Sequence, residues 1–475
     1  MTHEDEQCSS LGNCTTSWGA KSSQRNIIDD RDAEFSLGQF IWSGFDYIGE
    51  PTPYFTKNSY FGQIDTAGFP KDSFYLYQAE WTNCKKAPMV HILPYWDFNE
   101  GQIIDIRIYS NAPKTELFFN DESQGVFEID HKKGMQLSGE WQLPYKKGVI
   151  KAVAYDENGR VIATDVQSSF SDAARIVLKA DKASMLADGQ DMIFVEISME
   201  DKDGNPVANA NNRVEVTVSG AGRLVGLDNG DSTDCDAYKG TSRRLFSGKL
   251  LAMIAARQEA GELRITVSSP GLETQEVTFY ATEATEATAA AEATASTAAT
   301  AATAATTATT ATAATTVAAT TAASGAILCN TVLEDPPIFV SSICASYDNS
   351  TQCKKTYGVS SLMENARSEP NYEIPIRKIE LINHGRNHLN KRNPSATISA
   401  RLLPENTTYG DIEWKAVTPE GIVTNIAKVD VNGTGVCVTA LSDGEFRLRC
   451  TARNGRRTPG VVSELEFVIT GMGEA

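Results

Sequence analysis

The chain has 475 residues and a formal net charge of −18, with 43 Lys and Arg against 61 Asp and Glu. Phosphate backbones and anionic membrane surfaces bind clustered Lys and Arg, so this acidic balance argues against nucleic-acid and membrane partners. There is no apolar run of roughly eighteen residues that would span a membrane. The polar, acidic start has neither the basic region nor the apolar stretch of a signal peptide. At roughly 150 residues per domain, the length predicts about three domains with several cores.

Residues 1–86 combine helix and loop signals around one short apolar run. Acidic residues at 29–32 suit the first turn of a helix that continues to residue 37. The apolar run Phe40, Ile41 and Trp42 predicts a buried parallel strand within residues 39–47, with Trp42 near its C-terminal end and a glycine-rich loop after it. Residues 72–81 predict a second helix. Trp42 is either a core aromatic or a flat apolar face on which a sugar ring stacks.

From about residue 88 the pattern changes to short alternating strands. Such strands, separated by turn residues, predict immunoglobulin-like sandwiches over 87–172, 173–280 and 373–475. Trp414 is the expected core residue of the last one. Between the second and third, residues 281–325 are almost only Ala and Thr and predict a solvated linker or stalk. Residues 326–372 form an irregular polar segment without an assignment.

Metal and disulfide signals are weak. The nine cysteines include no C-x-x-C pair. Cys437 and Cys450 either face each other across two strands, where they could form a disulfide, or are buried free thiols. An acidic cluster at 228–236 fits either a calcium loop or a solvated acidic turn, although its spacing is not that of an EF-hand. The five histidines show no ligand spacing. The sequence therefore predicts no metal and no cofactor.

Residues 7–81 resemble the end of the catalytic barrel of glycoside hydrolase family 2, the β-galactosidase and β-glucuronidase family. The matching pieces are Gly38-Gln-Phe-Ile-Trp42, Gly44-Phe-Asp-Tyr47, Tyr60-Phe-Gly62, Ile64-Asp65, Gly68-Phe-Pro-Lys-Asp72, Tyr77 and Glu80-Trp81. Farther along, Gly226-Leu-Asp-Asn-Gly-Asp231 followed by Arg244-Leu-Phe-Ser-Gly248 resembles the C-terminal sandwich of family 2 β-galactosidases. The turns at 187–190 and 203–206, and the last module, resemble bacterial immunoglobulin-like domains.

The resemblance implies a mainly β chain: the tail of a (β/α)8 barrel at 1–86, followed by the three sandwiches, with the Ala/Thr-rich linker before the last. It implies a C-terminal portion of a retaining β-galactosidase. Such an enzyme needs two carboxylates about 5–5.5 Å apart. In family 2 these are glutamates at the ends of the fourth and seventh strands, and neither has a counterpart here. Glu4, Glu6, Glu34 and Glu50 are expected to be solvated. We therefore expect no hydrolysis by this chain alone.

Three residues are candidates for contact with a carbohydrate substrate. The resemblance places Trp42 in the subsite for the non-reducing sugar. Asp46 either binds a sugar hydroxyl or caps its loop. Asn58 begins a triplet that in β-glucuronidases reads Asn-x-Lys, where the Lys binds the sugar carboxylate. Here the third residue is Tyr60, which favours a neutral β-galactoside over a uronic acid.

A second hypothesis is a surface adhesion or carbohydrate-binding protein built of immunoglobulin-like modules. Sandwiches and a Thr-rich stalk suit it, but a barrel end does not. In the isolated chain, the apolar side chains of residues 30–80 would form an exposed patch. Such a patch predicts association, either with an upstream barrel portion or as a homo-oligomer. The candidate residues are Phe35, Phe40, Ile41, Phe45, Phe61 and Phe69. Location stays open between cell surface or extracellular space and cytoplasm.

Overall fold

A computed structural model describes residues 23–50, 56–283, 373–419, 421–455 and 460–473. Most of the predicted linker, the segment 326–372, and Glu4, Glu6 and His3 therefore lie outside the described residues. The described residues up to 282 and from 373 onward belong to one compact unit. None of the helices described has the length and apolarity needed to cross a membrane.

Two helices precede the strands: α1, Ser23–Asp32, and α2, Asp72–Trp81. The prediction of α2 is confirmed. The first helix begins earlier and ends sooner than predicted, because Ile27 and Ile28 are the side chains that find a buried surface, whereas Phe35 is fully exposed. Both helices pack on the first sandwich through one apolar cluster. Its buried members are Ile27, Ile28, Leu76, Tyr77, Ala79, Leu93, Tyr109 and Leu137.

Residues 39–47 do not form the predicted strand. The segment makes one isolated bridge, Phe45 with Ile64, and the next residue, Ile48, makes another with Asn58. A buried parallel strand needs a hydrogen-bonded neighbour on each side. The described residues supply no such neighbouring barrel strand, so the apolar run lies open, with Phe40 fully exposed.

The first sandwich packs a three-stranded sheet, in the order β1-β2-β5, against a four-stranded sheet, in the order β4-β3-β6-β7. Its strands are β1 Val90–Leu93, β2 Ile103–Ser110, β3 Lys114–Phe119, β4 Glu122–Glu128, β5 Gly139–Pro144, β6 Val149–Tyr155 and β7 Val161–Ser168. The alternating side chains of β2, among them Ile104, Ile106 and Ile108, meet Leu117 and Ile150 across the core. The alternation of apolar residues seen in the sequence thus places one face of each sheet inside.

The second sandwich packs a four-stranded sheet, in the order β12-β14-β10-β8, against a five-stranded sheet, in the order β13-β11-β15-β16-β9. Its strands are β8 Ala173–Ala180, β9 Ser184–Leu186, β10 Met192–Asp201, β11 Arg213–Gly220, β12 Gly222–Asp228, β13 Ser242–Arg244, β14 Lys249–Ala256, β15 Gly261–Ser268 and β16 Gln275–Thr282. All neighbours are antiparallel except β9 and β16, which run parallel.

The third sandwich packs the sheet β17-β19-β22-β21 against the sheet β18-β24-β23-β20. Its strands are β17 Lys378–Asn383, β18 His388–Leu389, β19 Ser395–Leu403, β20 Ile412–Val417, β21 Ala427–Asn432, β22 Gly435–Ala440, β23 Gly444–Arg453 and β24 Gly460–Ile469. Trp414 lies in the core, as predicted. Cys437 and Cys450 lie in different sheets and are free thiols, so the alternative of a disulfide is wrong.

Candidate substrate-binding region

Trp42 lies on the extended segment between α1 and α2, and its side chain is 77% exposed. Its indole N–H donates a hydrogen bond of 3.1 Å to the hydroxyl of Tyr47, and the two rings meet edge to face at 6.3 Å. The Tyr47 hydroxyl in turn donates to the carboxylate of Glu50. These contacts orient the indole while one of its faces stays open to solvent. Trp42 packs into no core of the described residues, and its contact with a sugar ring stays a prediction.

The loop that supports Tyr47 is paired to the next loop along the chain. The Tyr47 amide donates to Ser59 Oγ at 2.9 Å, and the Ser59 amide donates back to the Tyr47 carbonyl at 3.0 Å. On the far side, the Tyr47 ring contacts Phe61 at 5.8 Å. Residues 56–63 thus hold Trp42 indirectly, through Tyr47.

Asp46 points away from solvent, and its side chain is fully buried. One carboxylate oxygen accepts bonds of 2.8 Å from the Gly62 amide and from Lys71 Nζ. Burial raises the pKa of Asp46, and the charge of Lys71 partly offsets that rise. The other oxygen has no hydrogen-bond partner among the described residues. The observed role of Asp46 is loop support, and direct contact with a sugar hydroxyl stays a prediction.

Asn58 is also buried, and it faces the second sandwich. Its Nδ2 donates to Ser232 Oγ at 3.0 Å and to the Ser59 carbonyl at 2.6 Å. Next to it, the Lys57 amide donates to the Ser232 carbonyl at 2.9 Å. The structure therefore brings Trp42 and Asp46 together on one pair of loops and places Asn58 behind them, against the loop 228–236.

The acidic loop 228–236 is buried, so the hypothesis of a solvated turn is wrong. Asp228, Asp231 and Asp234 are all buried, and Asp234 pairs with the fully buried Arg243 at 2.8 Å. Lys57 Nζ donates to the Asp234 carbonyl at 2.7 Å. Burial, together with the nearby Asp234 carboxylate, raises the pKa of Asp231 to about 6. No group of three or more metal-ligating side chains occurs in the part of the chain that the structure describes.

The carboxylates of the loop that follows Trp42 are already engaged, Glu50 by the Tyr47 hydroxyl and Asp46 by Lys71. Neither is arranged as one half of an acid and nucleophile pair. Sequence reasoning missed Tyr47, Lys71 and Ser232, which hold the loops in place. For Lys71 a signal existed, since it stands in the Gly68-Phe-Pro-Lys-Asp72 motif, but nothing local reveals that its partner is Asp46.

Comparison with known proteins identifies the second sandwich. Residues 176–278 match the model of the glycoside hydrolase family 2 C-terminal domain 5, and residues 101–163 match a domain of unknown function, DUF4982. The second sandwich thus matches a family 2 domain, and the chain is similar to the C-terminal portion of family 2 glycoside hydrolases. The loop 228–236 that supports Asn58 thus lies inside the matched family 2 domain.

Two curated relatives are named as glycosidases. The chain is 39% identical over 279 residues to the beta-galactosidase BoGH2A of Bacteroides ovatus, covering 58% of this chain and 32% of that protein. It is 32% identical over 257 residues to a putative beta-glucuronidase of Formosa agariphila, covering 50% of this chain and 23% of that protein. The chain therefore spans about a third, or less, of the length of these family 2 proteins.

A solved structure supports the fold. A beta-glycosidase from Bacteroides vulgatus superposes with a TM-score of 0.51 at 33% sequence identity, covering 55% of this chain and 33% of that one. The mainly β architecture with packed sheet pairs is thereby confirmed.

Proposed function

We propose that this chain supplies the C-terminal portion of a retaining family 2 glycosidase that acts on terminal β-galactosides. In this proposal Trp42 forms the platform for the non-reducing sugar ring. Asp46 and Asn58 act from behind it by holding the loops 44–48 and 56–63 in register. The exposed, oriented indole carries this proposal, because a sugar ring packs its apolar face on an aromatic ring.

The lysines of the region support a neutral sugar. Residues 56–72 contain two lysines, and neither is available to a sugar carboxylate in this arrangement. Lys71 forms an ion pair with Asp46 and donates to the Tyr60 carbonyl at 2.6 Å. Lys57 is turned toward the second sandwich, and its Nζ donates to the backbone carbonyl of Asp234. A uronic acid would need an unpaired cation, so a β-glucuronide is the disfavoured alternative despite the relatives of that name.

We further propose that this chain alone does not hydrolyse glycosides. Retaining hydrolysis requires two positioned carboxylates, and the two near Trp42 are held by Tyr47 and Lys71. A companion polypeptide segment that carries both glutamates would complete the site, and the exposed side chains of Phe40 and Phe45, on either side of Trp42, are the surface it would cover.

The test has two parts. First, the purified chain is assayed with nitrophenyl β-galactoside and nitrophenyl β-glucuronide, and we expect nitrophenol release at background. Second, DNA upstream of the Met1 codon is sequenced, and the longest reading frame that contains this chain is expressed and assayed. A higher kcat/KM for the galactoside supports the proposal. Preference for the glucuronide, or clear turnover by the chain alone, would overturn the corresponding part.

A further inference from the structure

The third sandwich is attached to the second by the buried carboxylate of Glu373. Glu373 lies between two arginines of the second sandwich, Arg213 at the start of β11 and Arg244 at the end of β13. Arg244 binds both carboxylate oxygens at 2.6 Å, and Arg213 bonds to one of them. Burial disfavours the charged carboxylate, but the two guanidinium groups outweigh it and lower the pKa of Glu373 to about 2.

The same surface of the second sandwich holds more of the third. Arg244 also donates to the Asn454 carbonyl at 2.6 Å and to the Tyr409 hydroxyl at 2.7 Å. Asn211 donates to the Ile376 carbonyl at 2.7 Å. These bonds involve the segment before β17 and two loops of the third sandwich, so they fix its orientation and not only its attachment.

A second carboxylate, on the first sandwich, holds the third sandwich from another direction. Asp97 accepts bonds from Arg377 at 2.8 Å and from Lys378 at 2.6 Å, and all three residues are largely buried. Asn99 accepts a bond of 2.9 Å from the Leu381 amide and donates one of 2.7 Å to Ser463. The third sandwich thus contacts both of the sandwiches that precede it.

We propose that residues 373–473 act as an intramolecular clamp that fixes the first and second sandwiches relative to each other, with Glu373 and Asp97 as its two anchors. Buried charges tolerate few geometries, because any other docking would leave several of them unpaired. Thr282 and Glu373 then belong to the same compact unit. This inference is independent of the proposed activity.

Amide hydrogen exchange of the intact chain tests the clamp. The variant is Glu373→Gln, which keeps the shape but removes the charge, and the control is Glu380→Gln on β17, whose partner Arg401 is half-exposed. In the wild type we expect the Leu381 amide to be protected. In Glu373→Gln we expect its exchange to accelerate by about a hundredfold, the cost of breaking a buried pair. The control should leave it unchanged.

A junction amide distinguishes a clamp from simple docking. Ser171, between β7 and β8, joins the first sandwich to the second, and its amide donates to Asp201 at 2.9 Å. If the third sandwich fixes this junction, Glu373→Gln also accelerates exchange at Ser171. Acceleration at Leu381 with an unchanged Ser171 would overturn the clamp.

A variant outside the third sandwich guards against misfolding. If Glu373→Gln unfolds the third sandwich, the amides of β22 to β24 also exchange fast. In that case Asp97→Asn, on the first sandwich, tests the clamp instead. We expect Asp97→Asn to accelerate the exchange of the Leu381 and Ser171 amides, while the amides of β22 to β24 stay protected. Wild-type exchange at Leu381 as fast as in a loop, or no change in either variant, would contradict the proposal.

Discussion

At the scale of single residues, Asp65 shows how the two loops under the candidate site are joined. It lies buried on the loop 56–70, and one carboxylate oxygen accepts bonds of 2.9 Å from the amides of Ala67 and Phe69. The other oxygen faces Gly230 of the second sandwich. Burial raises the pKa of Asp65 to about 7, although the Phe69 amide and the charge of Lys71 partly offset the rise. The folded state therefore binds a proton that the unfolded chain releases near pH 4.

We predict that Asp65→Asn stabilises the protein at pH 8 and not at pH 4. A carboxyl whose folded pKa is raised loses stability as pH rises from its unfolded pKa of about 4 through about 7. Asparagine keeps an acceptor for the two amides and removes the charge. At about 1.4 kcal/mol per pKa unit, the gain at pH 8 is on the order of a few kcal/mol. Thermal unfolding at both pH values measures it, and equal shifts at pH 4 and pH 8 would refute the explanation.

We predict that Trp42→Ala in the complete enzyme lowers kcat/KM for a nitrophenyl β-galactoside by about tenfold or more. The loss reflects the aromatic face on which the sugar packs. Trp81→Ala is the matched control, since Trp81 is also an exposed tryptophan but packs on Tyr77 at the end of α2. We expect the control to keep wild-type kcat/KM. An equal loss in both variants would count against the platform role.

At the scale of elements, the loop 228–236 depends on a glycine at its point of closest approach. Gly230 has a φ of +74°, and a Cβ there would lie 2.1 Å from the Asp65 carboxylate. Gly159 has nearly the same φ, +76°, but its added Cβ would meet nothing within 4 Å. Alanine substitutions at these two glycines therefore separate the free-energy cost of the positive φ from the cost of the contact with Asp65.

We predict that Gly159→Ala costs about 1 kcal/mol of unfolding free energy, the usual penalty for this conformation. Gly230→Ala should cost roughly 2 kcal/mol more, because the Asp65 carboxylate must also move. Denaturant unfolding compares the two variants. Similar losses would mean that the 228–236 loop does not press on residues 56–70.

Helix α2 is joined to the first sandwich by a histidine between two acceptors. His131 lies 2.9 Å from a Glu80 oxygen through Nδ1 and 3.1 Å from the Ala112 carbonyl through Nε2. Both partners accept, so the arrangement suits the protonated ring. Burial lowers the pKa of His131, but Glu80, the Ala112 carbonyl and Asp130 outweigh it and raise the pKa above its usual value.

We predict that His131→Gln removes a component of the pH dependence of stability. The raised pKa stabilises the fold below about pH 6.5, and this contribution is lost as pH rises through the folded pKa of His131. Melting temperatures of the wild type and the variant should therefore differ at pH 5.5 and converge at alkaline pH. His384→Gln, at an exposed histidine bonded to Ser399, is the control. A difference that grows with pH would have the wrong sign.

Local pattern was enough for the elements whose side chains alternate or repeat cleanly. Helix α2 has the predicted bounds, and Trp414 lies in the predicted core. The edge strand β4 carries little such signal because it is largely polar on both faces, and the continuous apolar run of β14 is equally compatible with helix or strand. The candidate site was less predictable, since Asp46, Asn58 and the loop 228–236 take their partners from residues distant along the chain.

At the scale of the whole molecule, the segment after α1 presents a large apolar surface. Phe35, Leu37, Phe40, Trp42, Phe45 and Ile48 are exposed. Ile41, Phe61 and Phe69 are only partly exposed, so the patch is displaced toward residues 35–48 compared with the prediction. A contiguous patch of this kind normally marks an interaction surface.

We predict that the purified chain associates as its concentration rises. Replacing Leu37 and Phe40 by serine should weaken this association at least about tenfold, because two large apolar side chains no longer leave water. Sedimentation velocity over a concentration series measures it. The control replaces Ile422 and Val423, exposed apolar residues of the third sandwich, by serine. Monomeric wild type at high concentration, or equal effects of both double variants, would contradict the prediction.

The position of Glu373 also has a consequence for synthesis. Arg244 is translated 129 residues before the carboxylate that neutralises it. At roughly 5–20 residues per second, the ribosome delivers Glu373 about 6–26 s later. During that interval a folded second sandwich would display Arg244 without its counter-charge, whereas Arg213 would keep its ion pair with Asp236 of the same sandwich. Translation speed across residues 284–372 therefore sets how long the nascent chain stays open to other acidic partners before its own module arrives.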